Sequence, residues 1–148
     1  MNRTAWLALV AAGAISGCAN RTEIVDVPLA ATPLNAMHIA HATLSPVGEQ
    51  TSIWLTVGGV PHDMAVPSRL DTAIYAGSCQ QLSAQPAYTT QQANSVDQPS
   101  LAPRTQHWAQ APVALSTLSK GDYALLVRTS PADGSRPLFC GDIGSGQG

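Results

Sequence analysis

Three cysteines are the residues of this 148-residue chain whose types and spacing most clearly predict chemistry. The first, Cys18, ends the segment Ile15–Cys18, which reads Ile-Ser-Gly-Cys: a branched apolar residue, two small residues and a cysteine. This order is typical of a lipobox, in which a peptidase cuts before the cysteine and the thiol receives a diacylglycerol. Arg3 and the apolar run Ala5–Ile15 have the charge and length of a signal-peptide core, which is too short to span a bilayer. We therefore predict a signal peptide at residues 1–17 and a lipoprotein, with an ordinary secreted protein as the alternative.

The predicted lipid defines the first partner of the protein, a membrane. One acyl chain binds a bilayer only marginally, whereas two or more hold a protein there stably. Ala19 follows the lipidated cysteine where an Asp would favour retention in the inner membrane. In a Gram-negative cell, palmitate and the other acyl chains on Cys18 are therefore expected to anchor the protein in the outer membrane, facing the periplasm.

The other two cysteines, Cys79 and Cys140, lie 61 positions apart in the sequence. An exported protein meets an oxidising compartment in which free thiols tend to pair, so we predict a Cys79–Cys140 disulfide. On the chain-entropy model, closing so long a loop stabilises the fold by about 4 kcal/mol. The alternative is a redox or metal-binding thiol pair, which the absence of a Cys-x-x-Cys spacing disfavours.

Histidine and methionine offer an alternative site for a metal ion. His38 and His41 are three positions apart on a predicted strand, so their side chains point to opposite faces and cannot share an ion. His62 and Met64, with Met37 near them in space, are the candidates for a soft copper site, weighed against ordinary loop residues. Nothing resembles a Gly-x-Ser-x-Gly elbow, a His-Glu-x-x-His motif or a phosphate loop, so we predict neither an enzyme nor a cofactor.

The charge balance excludes one class of partner. The chain has 7 basic and 9 acidic residues, a net charge of −2 at pH 7, and no run of basic residues. Binding to nucleic acid depends largely on Lys and Arg contacts with phosphates, so we predict none.

Short alternating segments separated by turns indicate an all-β fold. In Thr51–Val57 the apolar residues Ile53, Leu55 and Val57 share one face and Trp54 points the other way, and no segment after Cys18 has a convincing helical period. Such a pattern predicts an antiparallel sandwich or barrel. The other predicted strands are Ala36–Leu44 (the hairpin partner of Thr51–Val57), Leu70–Tyr75, Val113–Leu118, Tyr123–Thr129 beyond a turn at Ser119–Asp122, and Leu138–Cys140.

The remaining segments are predicted to be irregular. Residues 18–34 are interpreted as a lipidated N-terminus and tether, whose end from Val25 onward can join the first strand. The domain is placed at residues 35–143, followed by a flexible tail at 144–148. Residues 80–112 are rich in Gln, Ser, Ala and Pro and are predicted to form a long loop, anchored to the core by Leu101 and Trp108. This loop is interpreted either as a solvent-exposed loop without a binding role or as a binding loop.

Several short motifs together resemble a known family of secreted domains. Leu118-x-x-Gly121-x-Tyr123 is similar to the tyrosine corner of Greek-key sandwiches, although Tyr123 can equally be a residue that alternates inward. The chain from about Leu34 to Ile143 resembles CHRD domains and copper/zinc superoxide dismutase in the order of five segments: Ala42–Gly48, Val57–Pro61, Ala76–Cys79, Leu118–Ala124 and Cys140–Ile143. The resemblance implies an antiparallel Greek-key β-sandwich, immunoglobulin-like or superoxide dismutase-like, with a Cys79–Cys140 bridge.

The same resemblance argues against the activity of the family. Where members place His-x-His before Ala-Gly-x-Cys, this chain has Ala73 and Tyr75, and a later His position holds Arg128. None of these replaces an imidazole ligand, and Arg would repel the metal. We therefore expect a non-catalytic binding or structural module of the cell envelope, with another envelope protein as its partner. A copper-binding protein or divergent dismutase is the alternative.

Two residues are candidates for contact with a partner. On the alternation of Tyr123–Thr129, Arg128 shares a face with Ala124 and Leu126. If that face is the outer one, Arg128 can pair with Asp71 or with an acidic group of a partner. Trp108, a large aromatic in the predicted loop, is the second candidate.

Overall fold

The computed structural model describes residues 23–64, 69–93 and 105–144. The predicted signal peptide, Cys18, the start of the tether, Leu101 and the tail beyond residue 144 lie outside these ranges. Within them, no helix has the length and apolar character needed to cross a membrane.

The described residues form nine antiparallel strands in one continuous series, so the predicted all-β class is confirmed. The order of hydrogen-bonded neighbours is β5-β4-β8-β9-β1-β2-β3-β7-β6. The strands are β1 (Val25–Ala31), β2 (Ala40–Val47), β3 (Gln50–Val57), β4 (Leu70–Ser78), β5 (Gln81–Thr89), β6 (Gln91–Ala93), β7 (Thr105–Ala111), β8 (Tyr123–Thr129) and β9 (Pro137–Ile143). One short helix, α1 (Leu115–Lys120), and 3-10 turns at Pro33–Asn35 and Pro131–Asp133 complete the described elements.

The strands form two layers that are joined at both sides. Along β1, Val25–Leu29 pairs with β2 in the first layer, and Ala30 and Ala31 pair with β9 in the second. At the other side only Thr90 separates β5 from β6, and its Oγ1 donates to the carbonyl oxygen of Thr72 at 2.7 Å. The fold is therefore a sandwich nearly closed into a barrel. β9, the last described strand, pairs with β1, so that neighbouring strands follow the order β9-β1-β2-β3.

Alternation of apolar and polar residues builds the core between the layers. In β3, Ile53, Leu55 and Val57 are buried, whereas Trp54 between them is 38 % exposed. The predicted hairpin of this segment with the preceding strand is confirmed by the β2–β3 pairing. The largest fully buried side chains are Phe139, Leu44, Ile53, Leu55, Leu70, Ile74, Leu115, Leu118, Leu125, Leu138, Ile143 and Val27.

A short helix replaces one predicted strand. Val113–Leu118 was expected to be extended and Ser119–Asp122 to be a turn, but Leu115–Lys120 is helical, so both expectations are wrong. Leu115 and Leu118 are both buried, because a spacing of three places their side chains on one helix face toward the core. Within this helix, Oγ of Ser119 donates to the carbonyl oxygen of Leu115 at 2.9 Å.

The predicted long loop at residues 80–112 is also wrong over most of its described length. It contains β5, β6 and β7, leaving 94–104 between the last two. These strands carry Gln, Ser and Thr on their solvent side and small residues such as Ala109 and Ala111 on the inner side, so no apolar alternation marks them. At the N-terminus, β1 begins at Val25, so the end of the predicted tether joins the first strand, as expected.

Candidate functional site

The positions at which the resembled family carries metal ligands lie on the outward face of the second layer. The β4–β8 register pairs Ala73 with Leu126 and Tyr75 with Ala124, and it places Arg128 opposite Asp71. Arg128 therefore shares a face with Ala124 and Leu126, as the alternation predicts. This face is opposite the one that carries core residues of both strands.

A small apolar cluster covers this face. Ala73, Tyr75 and Leu126 are 3 %, 6 % and 8 % exposed, and Leu82 and Cys140 pack against them. The cluster is separate from the main core, because its side chains lie on the other side of the same sheet. The site is thus filled by packed side chains.

The guanidinium of Arg128 lies over the ring of Tyr75, with Cζ at 5.7 Å from the ring centroid. This is the geometry of a cation–π contact, which stabilises by about 0.5–1 kcal/mol at exposed sites. The carboxylate of Asp71 instead accepts a hydrogen bond from Nε2 of Gln92 at 3.2 Å. The contact made by Arg128 is therefore with Tyr75 and not with Asp71.

These residues do not fit copper or zinc, the metals that the resemblance implies. Ala73 has no donor atom, and the Tyr75 ring lies against a fixed positive charge. Among the described side chains, no group of three His, Cys, Asp or Glu residues is arranged to hold a metal ion.

The alternative copper ligands differ in their burial. Met64 is 6 % exposed and belongs to the main core, whereas Met37 is completely exposed at the turn before β2. His62 is exposed in the turn that precedes Met64. Between them, Asp63 Oδ2 accepts a hydrogen bond from Nη1 of Arg136 at 2.8 Å. This contact holds the pKa of the Asp63 carboxyl below its ordinary value.

The other histidines occupy three separate environments. Nε2 of His41 lies 3.3 Å from Oδ1 of Asp26 on the outward face of the first layer. His38 precedes β2, and its Nδ1 lies 3.3 Å from the carbonyl oxygen of Asn35. His107 is buried on the inner face of β7, where the register places it opposite Leu55.

The predicted disulfide is confirmed. Cys79, in the turn after β4, is bonded to Cys140 of β9, and their Cα atoms lie 5.8 Å apart. The backbone N–H of Cys79 also donates to Oδ1 of Asp142 at 2.6 Å. Beside this bridge is an open cavity of about 490 Å³, lined by Ala76, Gly77, Ser78, Gln81, Leu82, Ser83, Asp122, Tyr123 and Asp142.

The side chain of Tyr123 packs against the main core and meets a second tyrosine. Its ring centroid lies 5.9 Å from that of Tyr88, and the hydrogen bond between the two phenols raises the pKa of Tyr88. Gly121 leaves room for the ring, because a Cβ there would lie 2.5 Å from Cε2 of Tyr123. The contacts of Tyr123 therefore agree with a residue that alternates inward, the second of the two interpretations of the Leu118–Tyr123 motif.

Trp108 does not anchor its segment to the core. It points outward from β7 and is 39 % exposed, opposite Trp54 of β3. The ring centroids are 5.4 Å apart and the ring planes are nearly perpendicular, at 82°. The sequence marks Trp54 as outward, but it does not reveal the register that pairs it with Trp108.

Comparison with known protein families, curated proteins and solved structures found no match.

Proposed function

We propose that this protein is a lipid-anchored β-sandwich of the cell envelope, related to CHRD-like and superoxide dismutase-like domains, and acts as a non-catalytic binding or structural module. The observation that most supports a non-catalytic role is the packed cluster of Ala73, Tyr75 and Leu126 at the positions of the family's ligands. A catalytic metal site needs several ligands and an open coordination position. The cluster supplies neither.

The position of β1 is compatible with an anchor at Cys18. Only seven positions separate Cys18 from Val25, and an extended chain covers about 25 Å in that length. Val25 pairs with Leu44, near the β2–β3 turn, so that end of the sandwich is nearer the anchor. The opposite end, with the turn between β1 and β2, would face away from the bilayer.

The lipid anchor is tested by labelling cells with palmitate and fractionating their envelopes. Wild-type protein should carry the label and follow the outer membrane, whereas Cys18→Ala should carry none. The matched control is the double variant Cys79→Ser/Cys140→Ser, which removes the two cysteines outside the lipobox, leaves no unpaired thiol and should keep the label. Unchanged labelling of the Cys18→Ala protein would refute the anchor.

The binding role is tested by chemical crosslinking in intact envelopes, followed by purification of the lipidated protein. A stoichiometric envelope component should copurify with the wild type. Recovery of the protein alone under all crosslinking conditions would contradict a binding role and leave the structural one.

A further inference from the structure

Two large aromatic side chains lie on the outward face of the first layer, on interior strands. Trp54 belongs to β3, between β2 and β7, and Trp108 belongs to β7, between β3 and β6. They are 38 % and 39 % exposed. Because exposed indole area costs hydrophobic free energy that burial would recover, two adjacent exposed tryptophans indicate a surface that gains from a ligand.

Polar side chains surround the tryptophan pair. One row across the sheet runs from Asp26 through Thr43 to Trp54 and Trp108. In that row, Thr43 Oγ1 donates to Oδ1 of Asp26 at 3.0 Å. The neighbouring rows on the same face contribute the half-buried side chains of Thr56, Gln106 and Gln110. The pair is therefore bordered by hydroxyl and amide groups that can both donate and accept hydrogen bonds.

The charge of this face favours an uncharged ligand. Strands β1, β2, β3 and β7 contain no Lys, Arg or Glu, and the titratable side chains at their outward positions are Asp26 and His41. An anionic polymer would need basic groups here. The other exposed large apolar side chains beside this layer, Ile39 and Val47, are separated from the pair by the polar rows His41–Thr56 and Ser45–Ser52. The apolar area is therefore not the continuous core that a stable protein interface requires.

We propose that Trp54 and Trp108 form a binding site for an uncharged chain of pyranose sugars. The electron-rich face of an indole attracts the C–H groups on the apolar face of a sugar ring, which carry a partial positive charge. Because the two rings meet at 82°, a sugar stacked on one ring is flanked by the edge of the other. Its hydroxyls then reach the Thr and Gln side chains beside the pair.

The site is held ready for its ligand by the sheet. Both tryptophans lie on strands paired on each side, and their rings contact each other. Little backbone or side-chain freedom is then lost on binding, which favours affinity from a small contact area. The choice of a glycan rests on the proposed function, since the cell envelope is a compartment built partly from polysaccharide.

Intrinsic fluorescence gives a direct test. Of the three tryptophans, Trp6 lies in the predicted signal peptide, so the emission of the processed protein comes from Trp54 and Trp108. The lipidated protein in detergent is titrated with three uncharged hexasaccharides: chitohexaose, cellohexaose and maltohexaose. We expect at least one to change the emission in a saturable manner and to shift both indole N–H resonances in NMR spectra.

Variants locate the binding. Trp54→Ala or Trp108→Ala should weaken it about tenfold or more, as for a central contact residue, and Trp54→Phe should retain part of it. The matched control is Leu34→Ala, which removes an apolar side chain that is 46 % exposed in the 3-10 turn between β1 and β2. No response to any hexasaccharide would overturn the inference. Binding by both Trp→Ala variants that is as tight as binding by the wild type would also overturn it. Because palmitate labelling is measured separately, that failure is distinguishable from failure of the lipid anchor.

Discussion

The chemistry of the β4–β8 outward face depends on a few side chains, of which Arg128 carries the positive charge. A guanidinium is always protonated and stacks well on an aromatic ring, as it does on Tyr75. The same charge repels a metal ion, and the adjacent Ala73 offers no donor atom. Neither β4 nor β8 contributes an imidazole ligand to this face.

We therefore predict that the metal-free protein binds neither copper nor zinc tightly at this face and does not dismutate superoxide. Calorimetric titration with each metal and a superoxide assay measure this. Arg128→His restores one imidazole but not the two missing at Ala73 and Tyr75, so it should not create activity. Stoichiometric tight binding that is lost in Tyr75→Ala would contradict the prediction.

The ion pair of Asp63 and Arg136 should make stability depend on pH in acid. The hydrogen bond from Arg136 lowers the pKa of Asp63 in the folded state. Its stabilising effect is therefore present above the unfolded pKa of about 3.9 and is lost as pH falls through the folded value. Both side chains are partly exposed, so the effect is small and is screened by salt.

Urea unfolding of the wild type and Asp63→Asn measures this effect. The wild type should be the more stable at neutral pH, and the difference should disappear in acid. Arg136→Gln should cost a similar amount, and the double variant should cost no more than either single one if the pair acts as a unit. A difference that persists unchanged at low pH would show that the contact contributes nothing through charge.

At the scale of elements, the end of β4, just before its turn into β5, requires a glycine. Gly77 has φ of +94°, and a Cβ there would clash with the carbonyl oxygen of Gln81. Gly48, in the β2–β3 turn, also has positive φ, at +60°, but no atom lies within 4 Å of its Cβ position. Comparing substitutions at the two glycines therefore distinguishes the cost of a left-handed backbone from the cost of a steric clash.

Gly48→Ala should therefore destabilise the fold by about 1–2 kcal/mol, the cost of a left-handed residue, and Gly77→Ala should destabilise it by more. Chemical denaturation of both variants measures the difference. If Gly77→Ala costs no more than Gly48→Ala, the β4–β5 turn must relax to remove the clash.

Some elements could be predicted from sequence because their burial pattern is local. Strand β3 alternates apolar and polar residues over Ile53–Val57, and β8 is a short apolar run bounded by a polar turn, and both patterns indicate strands. The helix α1 has six residues and one buried pair, Leu115 and Leu118, too little to establish a period. Strands β5 to β7 were missed because polar and small residues dominate them.

The sequence identifies Arg128 and Trp108 as candidate surface residues, but it does not reveal which residues lie beside them. Arg128 and Trp108 are identifiable from their chemistry, yet the partners of both, Tyr75 and Trp54, are fixed by strand pairing. Trp54 and Trp108 are 54 positions apart and meet only because β3 pairs with β7. Such a register depends on the packing of the whole sandwich, which a single sequence does not specify.

At the scale of the whole molecule, the two outward faces have different characters. The second layer presents the cluster of Tyr75 and Arg128, covered by packed side chains. The first layer presents an exposed tryptophan pair on a polar surface, in the row that begins at Asp26, one residue into β1. A lipid anchor ahead of β1 would therefore hold the tryptophan pair near the bilayer, on the side of the sandwich rather than at its tip.

The disulfide connects residues that are far apart in the sequence, and its removal should destabilise the whole fold. Cys79 follows β4 and Cys140 lies on β9, with 61 positions between them. Because β8 separates β4 from β9 in the sheet, the bridge links strands that are not direct neighbours. Without the bridge, only the hydrogen bonds of β8 connect β4 to β9, and the unfolded chain gains conformational entropy.

Replacing both cysteines by Ser should therefore reduce the free energy of unfolding by about 2–5 kcal/mol. Denaturation with and without a reductant measures this, since reduced wild type should match the double variant. Mass spectrometry of unreduced peptides should find the two cysteines linked, and free thiols in protein recovered from the envelope would contradict the pairing.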